Sequence, residues 1–326
     1  MNQKVTIIGT GRMGSALAAA LFNKGFATTV WNRTASKTER LSRLGLRVAA
    51  SVLEAVNEAD VVIVNINNYD STVELLRRPD IESALHGKIL VQLTSGTPDE
   101  AREMESWARQ CGIRYLDGAI WSAPMMIGTP QCMLLYSGSE ELFDRLKPVL
   151  IAFGENTRFL GNEIGQASAL DVAVLAGVVM NALFGFFQGY LVCEGENVPV
   201  ETYLQFVKNV LPRMEAIITR YYGKLQSKDY TADQSSLEGW SVGPKMLIGW
   251  GRNHGADHCI ADAQLSLFEK AIKAGKGQSD FAYLCEVLRK GQTNVHSAPF
   301  NSLSLSRNCI ALSLVHVGAI FARAIQ

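Results

Sequence analysis

Residues 4–25 read KVTIIGTGRMGSALAAALFNKG, and this stretch decides the fold. KVTII is a short run rich in β-branched side chains, and SALAAALFN has helical character and stops at Gly25. Between them Gly9, Gly11 and Gly14 stand in GxGxxG register. In such a turn the first glycine permits the tight bend and the second lets backbone approach a pyrophosphate. The third allows close helix packing, while the helix N-terminus faces the phosphates. The motif alone is a weak signal. Here a strand precedes it, a helix follows, and ATTVWN at 27–32 closes a βαβ unit of about thirty residues, which is the context the motif requires. Gly9, Gly11 and Gly14, with Arg12 and Met13 between the last two, are therefore candidate contacts to a dinucleotide.

The alternation continues downstream. ADVVIVNI (59–66) and KILVQLT (88–94) read as strands, as does RYLDGAI (114–120); helical patterns run through STVELLRR and PDEAREMESWARQCG. Such an order predicts a mostly parallel sheet with helices on both faces. After Gly161 strand-like runs give way to helical segments at 165–194, 200–226, 235–253, 258–274 and 279–290. The expected fold is α/β: a doubly wound parallel sheet over 1–162, then an all-helical domain over 163–326 entered through a long interdomain helix.

Composition narrows the partners. The 326 residues carry 31 basic and 31 acidic side chains, and no Lys/Arg block interleaved with aromatics appears. Neither nucleic acid nor an anionic membrane is expected, which leaves a small molecule or a second copy of the chain. Six cysteines, Cys111, Cys132, Cys193, Cys259, Cys285 and Cys309, show no framework spacing, so free thiols in a reducing, cytoplasmic compartment are expected. HGADHC at 254–259 has metal-like spacing, but Gly255 suggests a helix-to-helix turn that would not keep both histidines on one face. No metal is expected there, and His86, His296 and His316 are isolated.

The second strand ends VWNRTASK, with Asn32 where NAD-selective proteins place an acid for the ribose hydroxyl. Arg33, Thr34, Ser36 and Lys37 follow, a set of donors suited to a 2′-phosphate, so NADPH is the expected cofactor.

ASALDVAVLAGVVMNALFGFF at 167–187 is long and apolar enough to raise a membrane span, but Asp171, Asn181 and Gln188 interrupt it. A helix buried in a core or subunit interface is the expectation. The layout resembles β-hydroxyacid dehydrogenases, which carry a Ser/Gly-rich motif after the last nucleotide-domain strand and a catalytic lysine on the interdomain helix. This chain departs at both places: residues 116–139 read LDGAIWSAPMMIGTPQCMLLYSGS, and no lysine or arginine occurs from 159 to 207.

Taken together, GTGRMGSALA, VWNRT, LTSGTP, LDGAI, IGTP, YSGS, FLG, ASALD and LAG resemble the NADPH-dependent imine reductases and reductive aminases. The resemblance implies a Rossmann domain, a helical domain, and a homodimer that exchanges helical domains so that each active site is shared. It implies hydride transfer to the carbon of an imine, cyclic and small, giving an amine, with Asp171 as proton donor or iminium anchor. A carboxyl in an apolar cleft suits either role, because burial raises its pKa while a bound cation draws it back to carboxylate. Thr94 joins the expected cofactor contacts; Gln92, Trp121, Ser122, Val179 and Trp240 are expected in the substrate pocket. Gln92 stands where reductive aminases carry Asn and Val179 where they carry Tyr, so reduction of a preformed imine is expected before condensation of amine and carbonyl. Met125 and Met126 read as packing or pocket wall. Two alternatives stand beside this reading: a ketone or hydroxyacid dehydrogenase, and a protein that binds NADPH without turnover.

Overall fold

A computed structural model describes residues 3–289; His296, His316, Cys309 and the end of the last expected helix and domain lie outside the described residues. The strands β1 (Lys4–Ile8), β2 (Ala27–Trp31), β3 (Arg47–Val48), β4 (Val61–Val64), β5 (Ile89–Gln92), β6 (Arg114–Ile120), β7 (Met133–Gly138) and β8 (Asn156–Phe159) form one sheet. Their order is β3-β2-β1-β4-β5-β6-β7-β8. Every pairing is parallel except β6 with β7.

Helices α1 (Arg12–Asn23), α2 (Glu39–Arg43) and α7 (Glu140–Leu150) cover one face through Leu17, Leu21, Leu41, Phe143 and Leu146. Helices α3 (Val52–Asn57), α4 (Tyr69–Leu76), α5 (Pro79–Leu85) and α6 (Pro98–Gln110) cover the other through Val56, Leu76, Ile81, Met104 and Trp107. Because both faces are covered, β4 can be apolar throughout: Val61, Val62, Ile63 and Val64 are all buried. Register aligns Ile8 with Val64, Val64 with Gln92, and Gln92 with Asp117. The strand ends Ile8, Val64 and Gln92 thus share one edge, and the chain leaves β1 for α1 at the point where strand order reverses, the usual crevice for a ligand in such sheets.

The sheet extends past the expected strands. β7 turns back antiparallel to β6, α7 follows, and β8 returns parallel to β7. Leu134, Leu135, Tyr136 and Ser137 of β7 are all buried, so the strand lacks the alternation that marks a half-exposed one, and β8 has only four residues.

Beyond β8 the described chain is helical: α8 (Gln166–Gly195), α9 (Val200–Ser227), a short turn Leu237–Trp240, α10 (Val242–His254) and α11 (Cys259–Ala271). The division into two compact units falls between Gly185 and Phe186, inside α8, whereas the sequence reading set the domain limit at 162/163. Gly165 caps the start of α8 with φ +92°, and Asp171–Met180 are wound as a π-helix. The expectation of a buried α8 does not hold within one chain. An 18-residue window of it is only 6% buried, and it is long and apolar enough to cross a membrane by length and composition. In the second unit Leu237, Phe268, Ala271 and Leu284 form a small core. Gly255, φ +69°, ends α10; His254 turns to the Trp250 carbonyl (2.9 Å) and His258 to Asp262 (2.6 Å).

Glycine at two motif positions has different physical grounds. A Cβ on Gly14 would overlap the Gly9 carbonyl, whereas one on Gly11 would meet nothing within 4 Å. Gly14→Ala should destabilise the protein by about 1–3 kcal/mol, the usual cost of overpacking, while Gly11→Ala should stay within about 1 kcal/mol of wild type. Urea unfolding of the two variants checks this, and equal losses would contradict the packing argument.

Candidate active site

The edge beside β1 is built to receive an anion. Gly9 holds φ +98°, a region closed to most side chains, and any Cβ there would run into the Asn65 carbonyl. Gly11 is the N-cap of α1 and contributes no side-chain cap, and the first turn holds no acid, so its backbone N–H groups keep their donor capacity. Arg12 is exposed, and Met13 packs half-buried against the core.

Asn32 does something the sequence did not suggest. Its Oδ1 accepts the Thr10 backbone N–H (3.0 Å) and its Nδ2 donates to the Thr34 carbonyl (3.0 Å). Thr10 in turn donates its hydroxyl to the Lys37 carbonyl (3.2 Å). The glycine turn and the segment carrying Arg33, Thr34 and Lys37 are thereby tied together, and those three side chains are exposed. An open turn, a bare helix N-terminus and two exposed cations fit a dinucleotide with a 2′-phosphate. Thr94 is buried and accepts the Ile66 N–H on its Oγ1 (3.1 Å), so it braces the ends of β4 and β5.

Asp171 is 6% exposed at the start of the π-helical stretch. Burial pushes its carboxyl above the ordinary value, against an opposing pull from the Ser95 and Trp121 side chains. The Trp121 Nε1 is buried with no partner in hydrogen-bonding geometry, so the indole approaches the carboxyl without completing a bond to it. Ser95 is exposed, which sets one polar group at the solvent side of a carboxyl that is otherwise enclosed. The raised pKa favours the protonated carboxyl, and a bound cation would draw it back to carboxylate.

The structure brings Asp171 and Trp121 together; the other expected pocket residues are placed differently. Ser122 accepts the Met133 N–H on its Oγ (2.9 Å) and so fastens the turn between β6 and β7. Gln92 has no exposed surface: its Nε2 donates to Thr72 (3.2 Å), and its Oε1 is left without a partner. Val179 is exposed further along α8. Trp240 belongs to the second compact unit, where it is 42% exposed and meets Phe281 edge-on.

Sequence reasoning missed the cluster beneath Asp171. Asp117, in the middle of β6, has no exposed surface. Its Oδ1 accepts from the Tyr69 hydroxyl (2.8 Å) and the Tyr115 hydroxyl (3.4 Å), and its Oδ2 accepts from Ser168 (2.8 Å). Burial raises its pKa to about 6, while the hydrogen bonds from Tyr69, Ser168 and Tyr115 act to lower it. A charge in the middle of a strand whose neighbours are buried, YLDGAI, was the available signal.

Comparison with known proteins agrees with this geometry. Residues 4–161 match the NAD binding domain of 6-phosphogluconate dehydrogenase, and residues 163–290 match the NADPH-dependent reductive aminase-like C-terminal domain. The chain is 31% identical over 300 residues to an NADPH-dependent reductive aminase of Aspergillus oryzae, spanning 90% of this chain and 99% of that one. Its fold is similar to an imine reductase from Myxococcus stipitatus in complex with NADP+ (42% identity, TM-score 0.82, 87% of this chain and 99% of the other). It is also similar to a reductive aminase from Aspergillus terreus in complex with NADPH4, cyclohexanone and allyl amine (30% identity, TM-score 0.79, 89% and 100%). With both halves matched and near-complete coverage of its relatives, the chain belongs to the family of NADPH-dependent imine reductases and reductive aminases.

Proposed function

We propose that this chain reduces the C=N bond of a small cyclic imine to an amine, with Asp171 supplying the proton to nitrogen or anchoring the iminium. The observation that carries the reading is a buried carboxyl, raised in pKa and held near Trp121, on a helix with no cationic side chain. Bound NADPH would supply the hydride. Asp171 makes the carbon a better acceptor by protonating the nitrogen or by favouring its cation, and in this enclosed position it does so without competition from bulk water. A ketone lacks a basic nitrogen, and stabilising its developing alkoxide calls for a cation. The absence of lysine and arginine from 159 to 207 weighs against that chemistry.

Arg33, Thr34 and Lys37 hold the 2′-phosphate in this reading, while Asn32 fixes the segment that presents them. Gln92, already engaged with Thr72, shapes the site from below, and Val179 offers no proton to a condensing amine and carbonyl. The preferred substrate is therefore a preformed imine.

The functional unit in this reading is a homodimer. What supports it is the apolar surface that one chain leaves open: Val172, Leu175, Val178 and Phe184 on α8, and Leu204, Leu211, Met214 and Ile218 on α9. A second copy covers these faces, and Trp240 of that copy is the aromatic wall for the substrate.

Three outcomes are expected. NADPH absorbance should fall with five-, six- and seven-membered cyclic imines and not with ketones alone; consumption confined to ketones would reject the assignment. Asp171→Asn should lower kcat roughly 10²–10⁴-fold, the range for losing a general acid, with the KM for NADPH nearly unchanged. Arg33→Ala should raise the KM for NADPH roughly tenfold or more, as expected for loss of a charge-assisted bond, and leave that for NADH almost alone. Equal effects on the two cofactors would place the 2′-phosphate elsewhere.

A further inference from the structure

We infer that Asp117, acting through Ser168 and Tyr69, is a positioning residue that sets where the Asp171 carboxyl stands. The inference rests on the reading of Asp171 as proton donor or iminium anchor.

The first observation is cost. Asp117 has no exposed surface, and an apolar side chain of similar volume would fill a covered strand at lower free-energy cost than a carboxyl. Asp117 instead collects three hydroxyl donors from three elements: Tyr69 on α4, Tyr115 on β6 and Ser168 on α8. A charge satisfied in this way fixes directions, because each hydroxyl must point at one oxygen.

The second is placement. Ser168 lies three residues before Asp171, one turn earlier on the same helix, and its neighbour Ala167 donates its N–H to the Ser137 hydroxyl on β7 (3.2 Å). Asp117 and Ser137 are paired in register across β6 and β7. The first turn of α8 is thus pinned to two adjacent strands at two adjacent residues. Directly after it the helix widens into π winding at Asp171, whose i→i+5 bonding turns side chains away from the positions an α-helix would give them. The pinned turn fixes where that winding begins.

The third is reach. Tyr69, which donates to Asp117, lies against Gly96 so closely that a Cβ there would overlap its ring. Gly96 follows Ser95, whose side chain acts on the Asp171 carboxyl. One buried carboxylate therefore constrains both the helix that carries Asp171 and the loop that faces it.

Ser168→Ala removes a single hydroxyl and leaves the packing in place, so it is the decisive variant. Misplacing a reacting group by a fraction of an ångström to an ångström costs on the order of tenfold to a hundredfold, and a fall in kcat of that size is expected for a cyclic imine. The KM for NADPH should stay close to wild type, while the melting temperature falls by only a few degrees, as expected for loss of one hydrogen bond to a buried carboxyl. Asp117→Asn keeps an acceptor for Tyr69 and can donate to Ser168, so it should recover kcat relative to Asp117→Leu; if the leucine variant does not fold, Ser168→Ala still decides. Wild-type kcat in Ser168→Ala, or a fall in kcat matched by an equal loss of NADPH affinity, overturns the inference. Asp171→Asn measured alongside separates the two levels. If it retains wild-type kcat, the reading of Asp171 itself fails; if it loses activity while Ser168→Ala does not, only the positioning role of Asp117 fails.

Discussion

A carboxyl taken out of water must find donors or change its protonation, and this site is organised by two buried carboxyls, both raised in pKa, that differ in how many donors they find. Asp117 finds three hydroxyls, and hydrogen bonds to a charged group contribute about 1.5–3 kcal/mol each. Asp171, one helical turn beyond Ser168, is buried beside Ser95 and the Trp121 indole, whose pull on it is outweighed by burial, so its pKa is raised. Asp117 is held by its donors on three elements, whereas Asp171, with fewer donors around it, keeps its capacity for a proton or a cation; that difference separates a group placed for chemistry from one that holds the scaffold.

The scaffold makes this contrast attainable. Parallel strands covered on both faces align their carboxyl ends, so the glycine turn after β1 and the Thr94–Ser95 loop after β5 open along one edge. The antiparallel return of β7 adds Ser137 beside Asp117, and with it a second attachment for the start of α8. β7 thus adds a second strand to the attachment that β6 provides through Asp117. A strand that sequence patterns did not announce therefore helps to fix the helix that carries Asp171.

What was legible in the sequence was what local patterns encode. Glycine spacing, a strand before it and a helix after it are properties of neighbours in the chain, and the Gly9–Gly14 turn follows from them. A carboxylate in an apolar helix is similarly conspicuous, so Asp171 could be singled out. What was not legible depends on pairing across distance. Asn32 belongs to a motif that suggests contact with a ribose, yet its side chain is spent on Thr10 and Thr34, a use that only the meeting of two loops reveals. Gln92 reads as a pocket residue by position, yet its engagement with Thr72 depends on how α4 crosses β5. Asp117 carried a usable signal, a charge inside a buried strand, but its three donors come from residues 69, 115 and 168 and no periodicity links them.

The apolar surface of α8 and α9 raises a final physical question: which solvent or partner it suits. A bilayer would accept α8 by length and hydropathy. It would not accept α9, which carries Glu201, Lys208, Arg213, Glu215, Arg220 and Lys224 along its 28 residues. Its exposed apolar residues include Leu204, Leu211, Met214 and Ile218, spaced by seven, three and four residues along one side, in a helix that mixes apolar and charged side chains. That spacing suits a protein surface with water on the remaining faces. A second copy of the chain would present such a surface. Asp171 itself needs no such cover, since it is 6% exposed within one chain while Val172 beside it is 44% exposed. The charge thus lies at the end of α8 that packs on β6, and the open apolar surface lies beyond it.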